Sequence, residues 1–180
     1  MNRADAEKIL QEYVESESLR RHCRAVAASM KHFAKQFNED EEKWYVTGLL
    51  HDFDYEKYPD KHPMIGEGIL REKGVAEDIL RAIQSHASYT GVSRDSMMEK
   101  TLFAVDELSG FVVAVAQVRP GGFDGMEVKS VKKKLKDKGF AAAVNRDDIS
   151  NGALGMGIEM DKLIEGVIAA LTADKDILGI

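Results

Sequence analysis

The chain has 180 residues, 44% hydrophobic and 31% charged, enough for one well-buried domain and too few for two comfortable ones. Its formal net charge of −6 excludes a general binder of nucleic acid or of anionic membranes. The single cysteine, Cys23, excludes an intrachain disulfide and points to a reducing, cytoplasmic setting.

The first 18 residues carry charges throughout and have no apolar core, so no secretory leader is expected. Apolar residues then recur at helical spacing. Over Leu19–Phe37, His22, Val26, Met30, Phe33 and Phe37 share one stripe, with Ser16 or Ser18 as the cap. Asn38 and Asp40 open a second helix that runs through Trp44, Val46, Leu49 and Leu50 to His51. Phe53–Lys61 reads as a loop, turned at Pro59 and Asp60.

His62-Pro63 starts the next helix, since proline suits the first helical position, and Gly74 stops it after Ile65, Ile69 and Leu70. Ile79, Leu80, Ile83 and His86 define a further helix ending near Gly91. Met97–Val118 is long and strongly apolar until Arg119-Pro120-Gly121-Gly122 breaks it. Its longest apolar run, Phe111–Ala116, falls far short of the roughly 20 residues that span a bilayer. The tail holds a basic segment, Lys129–Lys138, a helix near Asp147–Gly155 and a last helix near Glu159–Ala173. No period-2 run supports a strand, and there is no internal repeat. The expected architecture is all-α: a single domain with its core over about residues 19–118 and a C-terminal helical extension over 119–180.

Six residues carry the chemistry. His22 and His86 lie on apolar helical stripes, His51 and Asp52 close a buried helix, and His62 stands at a helix mouth. Asp106 sits inside the most apolar helix, where a carboxylate is costly unless it is paired or bound to a metal. Any one of them alone reads as a hydrogen-bonded core residue, and Asp106 could be answered by a buried Arg or Lys. Together, however, four of the five histidines point inward or to a helix mouth. Imidazoles and carboxylates are the donor set for Zn, Mn or Fe, with no cysteine cluster to compete.

The order His22 … His51-Asp52 … His62-Pro63 … His86 … Asp106 resembles the H…HD…H…H…D pattern of the HD-domain metal-dependent phosphohydrolase superfamily. The contexts GLLHDFD, KHPMIGEGIL and LFAVDELSG and the spacings of 29, 11, 24 and 20 residues match it over about residues 19–118. The tail, with VKSVKKKLKDKGF and VNRDD, is similar to that of a small group of predicted HD hydrolases. The resemblance implies a helical bundle with a metal site in its core, built from His22, His51, Asp52, His62, His86 and Asp106. One or two divalent transition-metal ions (Mn, Fe, Zn or Co) are implied. His22, the doublet and Asp106 would hold the first; His62 and His86 would hold a second, with Asp52 bridging as the catalytic carboxylate. The implied reaction is hydrolysis of a phosphate ester or anhydride in a nucleotide or another small phosphorylated metabolite. Symmetrical dinucleoside tetraphosphatases and HD-GYP phosphodiesterases are similar, but Ala87 stands where HD-GYP proteins have a second histidine, and no GYP motif follows. Two other readings stay open: a non-catalytic HD binding module, against which the intact ligand set argues, and an HD-fold di-iron oxygenase.

Other residues are less specific. His32, flanked by lysines, is expected in solvent, and Cys23 is expected to fill the core. Asp54, Glu56 and Lys57 could orient a water or protonate a leaving group, or simply face solvent. The run Lys129, Lys132, Lys133, Lys134, Lys136 and Lys138 reads as a solvated face or as a device steering phosphate, with Arg119, Lys132 and Arg146 as candidate substrate contacts. The glycines of Gly152–Gly157 follow no strand and match no phosphate-loop pattern.

Overall fold

The computed structural model describes residues 1–179, which hold ten α-helices and no strand. The second helix, α2 (Glu17–Phe37), is capped by Ser16, whose hydroxyl accepts from Leu19 N, and ends at Asn38 in the left-handed conformation. Asn38 therefore closes α2 rather than opening the next helix. Asp40 alone caps α3 (Glu41–Leu50), accepting from the backbone of Glu42 and Lys43. The sixth helix, α6 (Met97–Gln117), begins in a reciprocal capping box between Ser96 and Glu99.

Between them lie α4 (Met64–Glu72) and α5 (Glu77–His86). Pro63 sits one place earlier than expected: it is the residue before α4, not its first, and no side chain caps that end. Gly74 follows α4 with φ 75°, the left-handed stop predicted for it. The tail folds as α7 (Val128–Leu135), α8 (Arg146–Met156), α9 (Met160–Ala173) and the short α10 (Lys175–Leu178).

The helix α1 (Arg3–Tyr13) has no counterpart among the sequence expectations. Its signal is present: Asn2 accepts from Asp5 N at 2.9 Å, and Ala6, Ile9 and Leu10 bury one stripe. The charges around those three apolar residues masked it.

Two apolar clusters hold the helices. One gathers Phe33, Leu102, Phe111, Ile149, Leu163 and Leu171 from α2, α6, α8 and α9. The other gathers Leu10, Leu49, Phe53, Leu70, Leu80 and Ile83 from α1, α3, α4, α5 and the turn after α3. Helix α2 belongs to both, giving Met30 to the first and Cys23 and Ala27 to the second. Each large side chain so buried contributes about 1.5–3 kcal/mol, against about 0–1 for an exposed ion pair, so these clusters set the helix positions. Gly152 belongs to this packing: a Cβ there would stand 2.5 Å from the Ala104 backbone, so the glycine lets α8 press against α6. No helix among the described residues is long and apolar enough to cross a membrane.

Candidate metal centre

Five stretches of chain deliver the six residues to one place. His22 comes from the second turn of α2, and Asp106 from the middle of α6. His51 continues α3 as its C-terminal cap with helical angles, and Asp52 follows directly. His62 precedes α4, and His86 is the last residue of α5. Helix ends thus present three imidazoles and a carboxylate over the crossing of α2 and α6.

The donor atoms fall into two sets. In the first, His22 Nε2 lies 3.2 Å from His51 Nε2 and 3.1 Å from Asp106 Oδ1, and His51 Nε2 lies 3.3 Å from the same oxygen. Asp52 Oδ2 stands 3.7 and 3.5 Å from the two nitrogens. In the second, His62 Nε2 and His86 Nε2 are 3.3 Å apart and lie 3.2 and 3.3 Å from Asp52 Oδ1. Donors about 2.1 Å from a common ion are roughly 3.0–3.4 Å from one another, so most of these separations are those of a coordination shell. Asp52 turns one oxygen to each set.

The far side of each ring decides what the near side offers. His51 Nδ1 donates to the Gly48 carbonyl at 2.8 Å, and His86 Nδ1 donates to that of Ile83. His62 Nδ1 donates to Asp54 Oδ1 at 2.6 Å. With Nδ1 committed, each Nε2 of a neutral ring turns a lone pair toward carboxylate oxygens, an arrangement that needs a proton or a cation between them. Protons answer it only in part. Burial acts to lower the pKa of His51 and of His62, but Asp52 outweighs it, with Asp106 beside His51 and Asp54 beside His62, and both rise to about 9. Burial likewise opposes ionisation of Asp52 and Asp106, yet the facing imidazoles, His51 foremost, hold both below the usual carboxylate range. Two imidazolium rings cannot face each other at 3.2 Å without repulsion, whereas a divalent cation in a set would satisfy the donors of that set together. The residues therefore fit a metal. His22, His51 and Asp106 form one group that could hold an ion, and His51, Asp52 and His86 another.

Asp54 is the residue that sequence reasoning placed least well. It is 1% exposed, and besides His62 it binds Gly66 N at 2.7 Å. A Cβ at position 66 would stand 2.6 Å from the Asp54 carboxyl carbon, so only glycine lets α4 approach that closely. The second aspartate of HDFD and the glycine of KHPMIGEG were the available signals. Its loop neighbours hold helices: Glu56 accepts from Glu15 N and Ser16 N, and Lys57 donates to the Glu12 carbonyl.

The centre opens into a cleft of about 390 Å3 walled by Tyr55, Tyr89 and Phe103, with Glu107 and Asp148 added to the carboxylates of Asp52 and Asp106. Tyr89 donates its hydroxyl to the His62 carbonyl at 2.7 Å. Burial raises the pKa of Glu107, with Asp106 adding to it, and burial leads the same shift at Asp148. Among the described residues, no Lys or Arg lines this cleft.

Arg119, Lys132 and Arg146 lie elsewhere. Arg119 binds the carbonyls of Gly122 and Asp124 and the Ser130 hydroxyl. Arg146 donates to five carbonyls, those of Leu135, Asp137, Phe140, Ala141 and Val144. Lys132 pairs with Asp161 at 2.7 Å. None of these three side chains lines the cleft: Arg119 and Arg146 donate to carbonyls and one hydroxyl of the tail, and Lys132 to one carboxylate. His32 stays off the centre, against Gln36, and Cys23 is fully buried as core.

The HD domain family model matches residues 19–109, about half of the chain, and that span contains all six residues of the centre. The chain belongs to the HD-domain family. Members of this family are generally hydrolytic and bind divalent metals. No curated protein and no solved structure matches the chain.

Proposed function

We propose that this HD-domain protein is a metal-dependent phosphohydrolase acting on a nucleotide or another small phosphorylated metabolite. The observation that carries the reading is the division of Asp52, one oxygen toward His22 and His51 and the other toward His62 and His86. Such a carboxylate suits a pair of ions, which would be Mn, Fe, Zn or Co given the histidine content. When bound, a divalent pair acidifies water and neutralises charge on phosphoryl oxygens. The chain's own part is positional. Asp52 would bridge and orient the attacking water, and Asp54 fixes the His62 ring. The carbonyls of Gly48 and Ile83 fix His51 and His86. Exposed rings at Tyr55 and Tyr89 offer flat apolar faces beside the centre, which suits a base or a similar planar group on the leaving side.

The test joins elemental analysis of protein purified without chelators to a panel of phosphate esters and anhydrides, with Mn, Fe, Co, Zn and Mg supplied separately. One or two transition-metal ions per chain and turnover of at least one substrate class are expected, both lost in Asp52→Ala. Wild-type protein that binds under a tenth of an ion under every metal overturns the proposal. So does full turnover by Asp52→Ala.

A further inference from the structure

Beside the metal cleft lies a second cavity of about 280 Å3, and Ser88, Phe103 and Asp148 line both. Its other walls bring what the cleft lacks: Arg94 and Lys100. Arg94 is held in place without being neutralised. Its guanidinium carbon stands 3.5 Å from the centroid of the Phe103 ring. Nη2 donates to the His86 carbonyl at 3.2 Å and to Ser88 Oγ at 2.9 Å. Nε is buried with no hydrogen-bond partner among the described residues. Neighbouring Arg81 is different, for it pairs with Asp95 at 2.6 Å and Glu99 at 3.0 Å.

A guanidinium stacked on a ring, held by a carbonyl and a hydroxyl and paired with no carboxylate is oriented for an oxyanion. Arg94 and Lys100 bring two positive charges against the single negative charge of Asp148, so the second cavity favours an anion. The metal cleft, with Asp52, Asp106, Glu107 and Asp148, favours cations. Once ions occupy the cleft, one phosphoryl group is provided for there, and the Arg94–Lys100 cavity lies directly across Phe103.

We propose that the Arg94–Lys100 cavity is an anion subsite and that the substrate carries a second oxyanion group, held there while its phosphoryl group lies at the metal centre. The statement about substrate rests on the hydrolase reading above; the subsite itself does not.

The two parts are tested separately. Inorganic phosphate, titrated calorimetrically into chelated full-length protein, should bind wild type, bind Lys100→Ala about tenfold more weakly, and regain affinity in Lys100→Arg. Equal affinity in wild type and Lys100→Ala overturns the subsite, as does a loss that follows Lys132→Ala on α7 instead. With metal present, alkyl phosphates ending in a second phosphate or a carboxylate should be turned over with higher kcat/KM than matched esters ending in a hydroxyl. That ratio should fall about tenfold in Lys100→Ala. A ratio of one in wild type overturns the two-anion substrate. Phosphate binding that depends on Lys100 supports the subsite even if every ester proves inert, a result that would count against the hydrolase reading alone.

Discussion

Two groups of polar residues stand out along this chain, and the fold treats them in opposite ways. Four histidines and two aspartates, spread over 85 residues of sequence, meet with most of their donor atoms 3.1–3.7 Å apart. The basic tail, whose charges are close together in sequence, is dispersed: Lys132 goes to Asp161, Lys129 to Glu127 and Arg146 to backbone carbonyls. The difference lies in what remains unsatisfied. Imidazoles whose far nitrogens are committed turn lone pairs toward carboxylates and call for a proton or a cation between them. Cations that already hold carbonyls or carboxylates require nothing more. Clustering in sequence is therefore a poor guide to a site, and mutual dissatisfaction in space is a better one.

The widest separation between the two regions should appear with pH. His51 and His62 have folded pKa values raised from 6.5 to about 9, so in chelated protein their contribution to stability is complete below about pH 6.5 and is lost as pH rises through 9. Asp52 and Asp106 stay ionised across that window and add no slope. Ions take the place of those protons, so metal-loaded protein should keep its melting temperature from pH 6.5 to 9 while chelated protein loses its own steadily. Parallel profiles with and without chelator would mean that no cation resides among these donors.

Asp54 should come next. Its carboxylate fixes the His62 ring from behind, and partners of that kind typically account for about 10–100-fold in metal affinity. Asp54→Ala should weaken the set made by His62 and His86 by that amount and leave the His22–His51–Asp106 set occupied. Gly66→Ala should act in the same direction by displacing the carboxylate. A metal titration resolving two affinities checks this, and equal weakening of both would show that the two sets are one site.

These expectations were unevenly legible in the sequence. The all-α class and the helices over 19–37, 97–118 and 159–173 follow from apolar periodicity, because each buries a stripe. His22 and Asp106 could be read from polar residues on the first two of those helices and His86 from the stripe of α5, and the HD pattern tied them to His51, Asp52 and His62. Asp54 could be read only as one of two alternatives, since a loop residue next to Tyr55, Glu56 and Lys57 looks solvated until α4 is seen to fold over it. Arg94 was hidden for a related reason: its partners, Phe103 and the His86 carbonyl, come from helices that meet only in three dimensions. Arg119 and Arg146 show what a charge in sequence leaves open, since it says nothing of whether backbone carbonyls will absorb it.

Arg146 and Lys132 provide the smaller effects, and they distinguish two ways of being irrelevant to the metal. Arg146 holds five carbonyls from the end of α7 and the turn after it, including that of Ala141, a non-glycine residue at φ 45°. Removing it leaves partly buried acceptors unpaired around a strained residue, which costs about 1–3 kcal/mol. Arg146→Ala should therefore lower the melting temperature clearly while metal content stays at the wild-type level. Lys132 and Asp161 are each about half exposed, 47% and 58%, so their pairing is screened by water and salt. Lys132→Ala should change stability by less than about 0.5 kcal/mol, an effect that shrinks further at high salt. It should also leave metal content and turnover alone, because its ammonium lines neither the metal cleft nor the cavity beside it. A stability loss in Lys132→Ala as large as that of Arg146→Ala would show that the ion pair, and not the carbonyl cage, anchors α7 to α9. A loss of turnover would restore the basic run to the substrate's path and remove the contrast between the two regions.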